Sequence, residues 1–498
     1  MAHDVNRITP RAEDYSAWYL DVIHRADLVD DVPVRGCKVI KPHGYAIWEK
    51  IRETLDAEIK ATGHVNAYFP LFIPMSFLSR EADHVEGFAK ECALVTHHRL
   101  RSVTGPDGRT AVEPDPASKL EEPLVVRPTS ETIIWHMYGR WIDSWRDLPL
   151  LINQWANVVR WEMKPRPFLR TAEFLWQEGH TAHATADEAL DEAHKMLGVY
   201  TDVCERLLAI PVVQGRKSTR ERFAGADETL TIEAMMQNGW ALQAGTSHFL
   251  GQNFAKAFDV TFQDKEGKRD HVWATSWGVT TRLVGALVMT HSDDEGLVLP
   301  PAVAPIQVVI IPVCRDKDRA TVMQAVDTLH RDLVDAGLRV RVDDRTHMRP
   351  GPKYFEWERK GVPLRLEVGP RDVKKGQAFA KLRVSDGRKF GVPFDTAAEE
   401  VPRLLSKMQD DLLARARALR EARTYTVTSR EEFVAQIDTQ PGFYRIPWGG
   451  DDADEDAVKA QTRATLRCYP LAAPSIEGLT CPLTGKPARE WAIFARAY

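Results

Sequence analysis

Two apolar segments that flank a short basic turn limit what the middle of this chain can fold into. The first segment covers residues 158–162 and the second covers residues 167–174, and the turn between them contains lysine, arginine and proline. Two such segments joined by a short turn are typical of a β-hairpin. The chain is therefore expected to build a sheet that carries cations over one end of this hairpin.

Within the hairpin, Arg160 and Glu162 are two residues apart, so a strand would direct both side chains to one face. A guanidinium held on a rigid strand suits bidentate capture of a phosphate or a carboxylate. The sequence therefore predicts a site for an anion that is attached to a group with hydrogen-bond donors. An exposed hairpin with ordinary surface salt bridges is the alternative that this segment leaves open.

Length and charge narrow the class of protein. A chain of 498 residues is expected to form about two to four domains. Its formal net charge of −5 at pH 7 argues against wholesale attraction to nucleic acid. Any contact with RNA is therefore expected to come from local basic patches.

Cysteine usage and the first residues indicate the compartment. The six cysteines are scattered without paired spacing, and the residues after Met1 show no export signal. We therefore expect a cytoplasmic protein in a reducing environment. No uncharged apolar run approaches the roughly 18 residues of a spanning helix, so we expect no membrane partner.

The N-terminal part has helical spacing followed by an interrupted strand. Apolar residues recur at helical intervals in residues 15–23 and 45–61, which predicts two helices. Residues 65–74 are apolar but contain Pro70. Proline cannot donate to a sheet ladder, so we expect this strand at a sheet edge or where two subunits meet. Packing within one subunit is the alternative.

A predicted strand at residues 124–126 leads into a helix whose first turn carries Thr129, Ser130 and Glu131. One interpretation is an ordinary helix cap, because Ser or Thr followed by an acid is the usual signature of a helix N-terminus. The other interpretation is that Thr129 and Glu131 accept hydrogen bonds from a small ammonium ligand. That second interpretation requires Arg160 to lie nearby and to take the ligand's carboxylate.

A strand is predicted at residues 230–234, followed by a turn, and residues 240–251 are predicted to be a junction at which a strand passes into a helix. Small residues around Gln243, Thr246 and His248 would let a ligand approach the backbone closely. A single histidine in such a place is also often a satisfied structural residue, so both interpretations of His248 stay open.

Residues 277–289 are almost entirely apolar, and we predict a helix that begins at a glycine and carries Arg282 as its only charge. Burying a charge without a partner costs about several kcal/mol or more. Arg282 is therefore expected to meet an anion, which is either an internal carboxylate or a bound phosphate.

The character of the chain changes after a proline-rich linker at residues 297–305. From residue 306 strands and helices alternate, which predicts a compact α/β unit with a largely parallel sheet. Residues 339–389 hold fifteen Lys and Arg against seven Asp and Glu, a surplus of eight (fifteen minus seven). This surplus is typical of contact with an RNA backbone, and a solvated charged face is the alternative. Three acids of this segment are available to read base edges: Glu356, Glu358 and Glu367.

The last part of the chain predicts a charged helix at residues 404–423 and a third small domain. Its acidic run at residues 451–456 is predicted to be a solvated loop. Cys481 has no second cysteine at the spacing of a metal knuckle, which argues against a zinc site.

Taken in chain order, these features resemble the class II aminoacyl-tRNA synthetases and, in detail, the prolyl-tRNA synthetase family of the archaeal/eukaryotic-like type. Three segments match the motifs of the class: residues 63–72, 160–174 and 278–282. Three more are similar to the loops of prolyl-specific members: residues 129–131, 176–180 and 245–248. The resemblance covers essentially the whole chain.

The resemblance implies a fold and a domain order. It implies an α+β catalytic domain at residues 1–300, with a mixed, mainly antiparallel sheet and flanking helices. An α/β anticodon-binding domain at residues 306–403 and a small α/β C-terminal domain with a degenerate zinc-type site at residues 404–498 would follow. A homodimer joined through the segment around Pro70 is also implied.

The resemblance further implies ATP-dependent ligation of L-proline to tRNA(Pro) through a prolyl-adenylate, with release of AMP and pyrophosphate. Mg²⁺ would accompany ATP. The implied catalytic residues are Arg160, Glu162 and Arg282, and the implied proline-binding residues are Thr129, Glu131, Arg160 and His248. The implied ATP-binding residues are Arg160, Glu162, Arg170, Thr171, Gln243, Thr246, Thr280 and Arg282.

Two departures from the family pattern lead to further predictions. Only 122 positions separate Arg160 from Arg282, which leaves no room for the large editing insertion of the bacterial-type enzymes. The positions that match the relatives' zinc ligands do not form a ligand set, so neither zinc nor a metal-binding residue is expected. These positions are Gly449, Asp454, Cys481 and Thr484.

Two rival interpretations are a relative that binds tRNA or a regulator without aminoacylating, and a class II synthetase for another amino acid. A retired site has no need of the buried cations Arg160 and Arg282, which argues against the first. The combination of Thr129, Glu131 and His248 argues against the second.

Overall fold

The structure is a computed structural model that describes residues 7–78, 92–384 and 387–498. The residues directly after Met1, where no export signal is predicted, lie outside these ranges. The elements fall into three consecutive groups. Helices of the first group are α1 (Tyr15–Arg25), α2 (Pro42–Ala61), α3 (Met75–Leu78), α4 (Glu131–Trp141), α5 (Ala186–Asp202), α6 (Asn253–Ala257) and α7 (Arg282–His291).

Strands of the first group surround these helices in the chain. They are β1 (Val29–Asp31), β2 (Lys38–Ile40), β3 (Val65–Asn66), β4 (Phe72–Pro74), β5 (Ala93–His97), β6 (Leu100–Thr104), β7 (Thr110–Pro114), β8 (Lys119–Val126), β9 (Leu150–Val159), β10 (Glu173–His183), β11 (Val212–Arg216), β12 (Glu228–Met235), β13 (Ala241–Gly251), β14 (Thr261–Gln263), β15 (Arg269–His271) and β16 (Trp273–Thr280).

The second and third groups are shorter. The second consists of β17 (Val308–Pro312), α8 (Asp316–Asp335), β18 (Val340–Val342), α9 (Pro350–Arg359), β19 (Leu364–Val368), α10 (Pro370–Lys375), β20 (Gln377–Leu382), β21 (Phe390–Pro393) and α11 (Ala397–Ala422). The third consists of β22 (Thr424–Tyr425), α12 (Arg430–Gln436), β23 (Phe443–Trp448), α13 (Asp452–Thr462), β24 (Thr465–Pro470) and β25 (Glu490–Ala495).

One large sheet joins the first and third groups. Within the described residues it has eleven strands, in the order β22-β23-β25-β24-β11-β12-β13-β16-β10-β9-β3. Its inner pairs are antiparallel, whereas β3 and β22 pair with their neighbours in parallel at the two edges. Helices α1, α2, α5 and α7 bury apolar side chains on one face, and α4 and α6 do so on the other. The prediction of a mixed, mainly antiparallel sheet with flanking helices is confirmed.

The hairpin that dominates the sequence is present as β9 and β10. The strands pair antiparallel from Val159 opposite Glu173 down to Leu150 opposite Ala182. The prediction that residues 167–174 form a strand from their first residue is wrong, because β10 begins only at Glu173. Phe168 has a φ of 62°, and Arg166 and Arg170 exchange backbone hydrogen bonds, so this part of the connection is a tight loop.

The apolar run at residues 277–289 is half strand and half helix, so the prediction of one helix is wrong there. Residues up to Thr280 belong to β16, which pairs with both β10 and β13 in the middle of the sheet. Helix α7 begins at Arg282. A strand that is buried on both faces reads as a continuous apolar run, which periodicity does not distinguish from a buried helix. The two predicted N-terminal helices are confirmed as α1 and α2.

The second group forms the predicted α/β unit. Its sheet has the order β18-β17-β19-β20-β21, with β18, β17 and β19 parallel and β20 and β21 antiparallel. The proline-rich stretch before it has no regular secondary structure, yet Leu297 and Leu299 are fully buried. Arg383 of this unit forms a bidentate ion pair with Asp293, at 2.8 and 2.6 Å, which ties the unit to the end of α7.

The third group continues the main sheet rather than forming a separate one. Strand β24 pairs with β11 at Gly215 opposite Pro470 and at Arg216 opposite Tyr469. The strands approach so closely that a Cβ atom at Gly215 would lie 2.5 Å from the Cβ atom of Cys468. The acidic run is not a loop: Asp451 caps α13 and the following acids form its first turns, where a helix dipole favours negative charge. No helix within the described ranges is long and apolar enough to cross a membrane.

Candidate active site

A cavity of about 410 Å³ opens on the main sheet. It lies between the β9–β10 connection, the start of α4, strand β13 and the junction of β16 with α7. The structure brings every predicted site residue to this one cavity, although they come from five segments of the chain. They are Thr129, Glu131, Arg160, Glu162, Arg170, Thr171, Gln243, Thr246, His248, Thr280 and Arg282.

Arg160 follows the last residue of β9, so the prediction that it projects from a strand is wrong by one position. Its Nε donates to the carbonyl oxygen of Pro128 at 2.9 Å. Its guanidinium carbon lies 5.6 Å from the ring centre of Phe174 and 5.8 Å from that of Trp176. These aromatic contacts position the planar guanidinium at the cavity wall and do not neutralise its charge.

Arg282 is the first residue of α7, and its half-buried side chain lines the cavity. Burial, reinforced by the nearby cations Arg170 and Arg160, lowers its pKa to about 10. Among the described residues its guanidinium makes two hydrogen bonds, both long, to the carbonyl oxygens of Leu169 at 3.4 Å and Gln243 at 3.5 Å. No carboxylate of the described residues forms an ion pair with it. Of the two alternatives for its partner, this arrangement favours a bound anion over an internal carboxylate.

Glu162 and Arg170 lie closer to the mouth of the cavity. Their side chains are 3.8 Å apart, and a Glu162 oxygen accepts a hydrogen bond from the backbone nitrogen of Lys164 at 2.8 Å. Because Arg170 is exposed, this ion pair is weak and leaves the guanidinium available to a phosphate.

Thr129 and Glu131 are buried at the inner end of the cavity. The Thr129 hydroxyl donates to a Glu131 carboxylate oxygen. Ser130 occupies the N-cap position of α4 but makes no side-chain capping bond. Its hydroxyl donates instead to Glu178. The helix-cap interpretation of these residues is therefore wrong, and their polar atoms serve the interior of the site.

A buried group around Glu178 lines the same cavity; Glu178 and His180 belong to the segment 176–180 that resembles prolyl-specific members, but neither residue was assigned a role in the site. Glu178 accepts a hydrogen bond from Gln154 at 2.7 Å and lies 2.9 Å from Nε2 of His180. Burial disfavours a charged His180, but the hydrogen bond to Glu178 and the charges of Glu178 and Glu131 outweigh it and raise its pKa. The available signal was a glutamate and a histidine two residues apart in an otherwise buried strand, which points both to one face.

His248 has the contacts of a structural histidine and also lies where a ligand could reach it. Its Nδ1 is 3.0 Å from the hydroxyl of Thr229, and its ring stacks on Phe223 with centroids 4.5 Å apart, yet it also borders the cavity. Phe223 and Glu221 line the cavity too and were missed, since they belong to a loop without a recognisable pattern. His248 is thus held in a fixed orientation at the wall.

The remaining predicted residues are smaller polar groups around the arginines. The Thr171 hydroxyl donates to the carbonyl oxygen of Glu173 at 2.7 Å, and the Thr280 hydroxyl accepts from the backbone nitrogen of Arg282 at 3.0 Å. Gln243 and Thr246 are half-buried on β13. Within the described ranges no group of three or more His, Cys, Asp or Glu residues could hold a metal ion.

The three acids proposed for base reading lie in a different environment. Glu356 pairs with Arg345 and Lys360, Glu358 with Arg365 and Lys381, and Glu367 with Arg365 and Lys389. These ion pairs take up much of the positive surplus of the segment. Exposed cations of the same unit are Arg341, Arg349, Arg371, Lys374 and Lys375.

The fold and the site define a class II aminoacyl-tRNA synthetase, and the comparisons with known families agree. Residues 112–291 match the family described as tRNA synthetase class II core domain (G, H, P, S and T). Residues 307–404 match the anticodon binding domain, and residues 430–498 match the family described as prolyl-tRNA synthetase, C-terminal.

Whole-length relatives narrow the class to one family. The chain is 56% identical to a proline–tRNA ligase of Porphyromonas gingivalis over 499 residues, which covers 100% of both proteins. It is 55% identical to a proline–tRNA ligase of Flavobacterium johnsoniae, with 99% of both covered. A crystal structure of prolyl-tRNA synthetase from Cryptosporidium parvum, complexed with halofuginone and AMPPNP, is 38% identical and superposes with a TM-score of 0.90 over 99% of this chain and 100% of that one. The chain belongs to the proline–tRNA ligase family.

Proposed function

We propose that the chain ligates L-proline to tRNA(Pro) at the expense of ATP, through a prolyl-adenylate. The observation that carries this proposal is the convergence of all eleven predicted site residues on one cavity, in which Arg282 makes no ion pair with a described carboxylate. A site of this kind suits a ligand with several negative charges and one positive charge, which ATP and proline provide together.

In the first step a carboxylate oxygen of proline attacks the α-phosphorus of ATP. The new bond is a mixed anhydride, and the bond to the β-phosphate oxygen breaks, so pyrophosphate leaves with its electron pair. We assign Arg160 to bridge the proline carboxylate and the α-phosphate, because its fork binds two oxygen atoms at once. The chain needs no covalent intermediate of its own, since positioning and charge neutralisation are sufficient for such a transfer.

The amino acid is assigned to the buried end of the cavity. The secondary ammonium of proline would donate to Thr129 and to Glu131, a charge-assisted contact that the pair's burial strengthens. His248, fixed by Thr229 and Phe223, would close the side of the pyrrolidine ring. The pocket is therefore matched to a small apolar ring with one charged end.

ATP is assigned to the open end. Arg282 and Thr280 would take the distal phosphates, and Arg170 and Thr171 would frame the nucleotide. Glu162 would hold the adenine end or a metal-bound water, and Gln243 and Thr246 the ribose and base region. Mg²⁺ supplied with ATP would screen the phosphate charge, and the polar groups at the open end suit such a hydrated ion.

The anticodon-binding unit is assigned to tRNA. Its exposed cations Arg341, Arg349, Arg371, Lys374 and Lys375 suit backbone phosphates. Glu356, Glu358 and Glu367 are already paired with cations of this unit, so the structure gives less support to the prediction that they read base edges. In the second step the terminal ribose hydroxyl of tRNA(Pro) attacks the adenylate carbonyl and AMP leaves.

We also propose a homodimer. Apolar side chains near the predicted edge strands are exposed in one chain: Val65 at 58%, Tyr68 at 70%, Phe72 at 45%, Met75 at 42% and Leu94 at 53%. Such a row of apolar residues is typical of a surface that a second copy covers. Val65, Tyr68 and Phe72 lie on the segment around Pro70 that the sequence assigns to the dimer, and Leu94 lies on β5, in the same small sheet as β4.

The domain limits proposed for the chain are 1–300, 306–403 and 404–498. Helix α11 runs through the second boundary, so the anticodon-binding and C-terminal units would share it. We also propose a cytoplasmic location, because the described cysteines are free thiols, as is usual in a reducing compartment.

Zinc does not fit the positions that hold it in related enzymes. Gly449 has no side chain, and Asp454 pairs with the ammonium of Lys486 at 2.6 Å. Lys486 also lies 2.9 Å from Asp451, while Cys481 is buried. An ammonium in contact with two carboxylates leaves no set of four ligands for a tetrahedral ion, so we propose that the chain binds no zinc.

Proline-dependent exchange of labelled pyrophosphate into ATP tests the proposed function. The wild-type protein should exchange with proline but not with histidine, threonine or glycine, and Arg160→Ala should lower the rate at least about 100-fold. Arg109→Ala, at an 89% exposed side chain, is the matched control and should leave the rate unchanged. Exchange that is independent of proline, or that survives Arg160→Ala, would contradict the assignment.

A further inference from the structure

The loop that follows β11 builds one wall of the cavity. Glu221 and Phe223 of this loop line the cavity. The backbone nitrogen of Phe223 donates to the Thr229 hydroxyl at 3.1 Å, and the same hydroxyl is hydrogen-bonded to His248. The position of Phe223 therefore fixes the surface that His248 presents to the amino acid.

Three consecutive side chains attach this loop to helix α13 of the third group. The Ser218 hydroxyl donates to Glu455 at 3.0 Å, the Thr219 hydroxyl donates to Asp452 at 2.5 Å, and Arg220 forms an ion pair with Asp456. The three acids are spaced by three and four positions, so they share one face of the helix. Lys459, on the next turn, lies 3.7 Å from Glu221.

The base of the loop is anchored separately in the sheet. The Lys217 ammonium donates to Glu233 at 2.7 Å and to the carbonyl oxygen of Arg467 at 2.8 Å, and Arg467 pairs with Glu233 at 3.0 Å. These side chains are at most 8% exposed. Removing Glu233 would leave two buried cations without a carboxylate and damage the fold, whereas the Arg220–Asp456 pair is about half exposed and can be changed without that penalty.

We propose that Ser218, Thr219 and Arg220 are positioning residues through which helix α13 sets the shape of the proline-binding end of the cavity. This inference rests on the proposed function. The hydrogen bonds that lead from this loop into the cavity run through Thr229 to His248, which is assigned to proline. Loosening the loop should therefore weaken proline binding and its discrimination from alanine, and should leave ATP binding unchanged.

A charge exchange in the full-length protein tests this arrangement. Arg220→Asp and Asp456→Arg each place like charges together, and each should raise the KM for proline by about 5–30-fold while the KM for ATP stays within about twofold. The double variant restores opposite charges and should return the KM for proline to within about threefold of wild type. The proline-to-alanine ratio of kcat/KM should fall and recover in parallel.

A second measurement follows the loop without relying on activity. Hydrogen exchange of a peptide that covers residues 217–223 should speed up in each single variant and slow again in the double variant. The matched control is the Arg101–Glu113 pair in hairpin β6–β7, whose side chains are 51% and 44% exposed. Exchanging those charges should change neither the KM for proline nor exchange in residues 217–223.

Three results would overturn the inference. They are an unchanged KM for proline in both single variants, an equal loss in the KM values for proline and ATP, and a double variant no better than the singles. Each of these results can be measured only if the wild-type protein shows proline-dependent exchange. A wild-type protein without such exchange would overturn the proposed function together with this inference.

Discussion

Replacing Arg282 by methionine should make the ligand-free protein more stable and the enzyme much less active. The folded protein disfavours the charged form of this guanidinium, because burial and two neighbouring arginines lower its pKa from 12.5 to about 10. At about 1.36 kcal/mol per pKa unit, this corresponds to a cost on the order of 3 kcal/mol. The two long hydrogen bonds that the change removes offset about 1 kcal/mol of it.

The sign follows from the protonation states. Below pH 10 the side chain is charged in the folded and the unfolded chain, so its cost is fully present at neutral pH and is relieved only as pH rises above about 10. Arg282→Met should therefore stabilise the ligand-free protein by about 1–2 kcal/mol, seen as a higher midpoint of thermal unfolding. Proline-dependent pyrophosphate exchange should fall by about 100–1000-fold, because a charged donor to the phosphates is lost.

Arg282→Lys is the matched variant, since it retains the charge but not the planar fork. It should show a smaller loss of exchange and little gain in unfolding temperature. ATP should raise the unfolding midpoint of the wild type more than that of Arg282→Met. If Arg282→Met keeps exchange within about threefold of wild type, or unfolds at a lower temperature without ATP, the role given to this buried cation is refuted.

Two further predictions concern other parts of the molecule. The pKa of His180 is raised in the folded protein, so the charged form of His180 stabilises the fold. This stabilisation is complete below the ordinary histidine pKa of about 6.5 and disappears as the pH rises through the raised value. The midpoint of thermal unfolding, measured from about pH 6 to about pH 9, should show this loss in the wild type but not in His180→Gln. Metal analysis of the purified protein should find no bound zinc, and Lys486→Ala should lower the unfolding temperature because Asp451 and Asp454 then repel each other; one tightly bound zinc per chain would contradict the Lys486 arrangement.

The site was more predictable from the sequence than some of the elements that carry it. Arg160 stands out because a planar guanidinium suits capture of an anion, and Arg282 because a cation within an apolar run needs an anion; both requirements hold whether the residue sits in a strand, a loop or a helix. The eleven residues that the motifs single out meet at one cavity even though the strand assumed for Arg160 ends at Val159. Chemistry at a site constrains residue types more tightly than local backbone does.

The failures have physical causes of their own. Residues 277–280 were assigned to a helix because the central strand of a sheet shows no alternation when both of its faces are buried. The acidic run at residues 451–456 was assigned to a loop because a run of like charges is usually solvated, and the stabilisation of acids at a helix N-terminus by the helix dipole was not considered. Phe223 was missed because it lies in a loop without a recognisable pattern, and this loop is attached through Ser218 and Thr219 to acids of α13 that lie more than 200 positions away in the chain.

The continuous sheet has a consequence for how the protein is made. Strand β11 pairs with β12 on one side and with β24 on the other, so a chain that stops before residue 465 would lack β24 and expose the second edge of β11 at Gly215 and Arg216. Exposed edges of this kind recruit other strands and promote aggregation. During synthesis the wall of the cavity also lacks its anchor until α13 has left the ribosome. Unfinished or clipped chains should thus be both inactive and prone to precipitate, so partial products would be removed rather than compete for proline and tRNA.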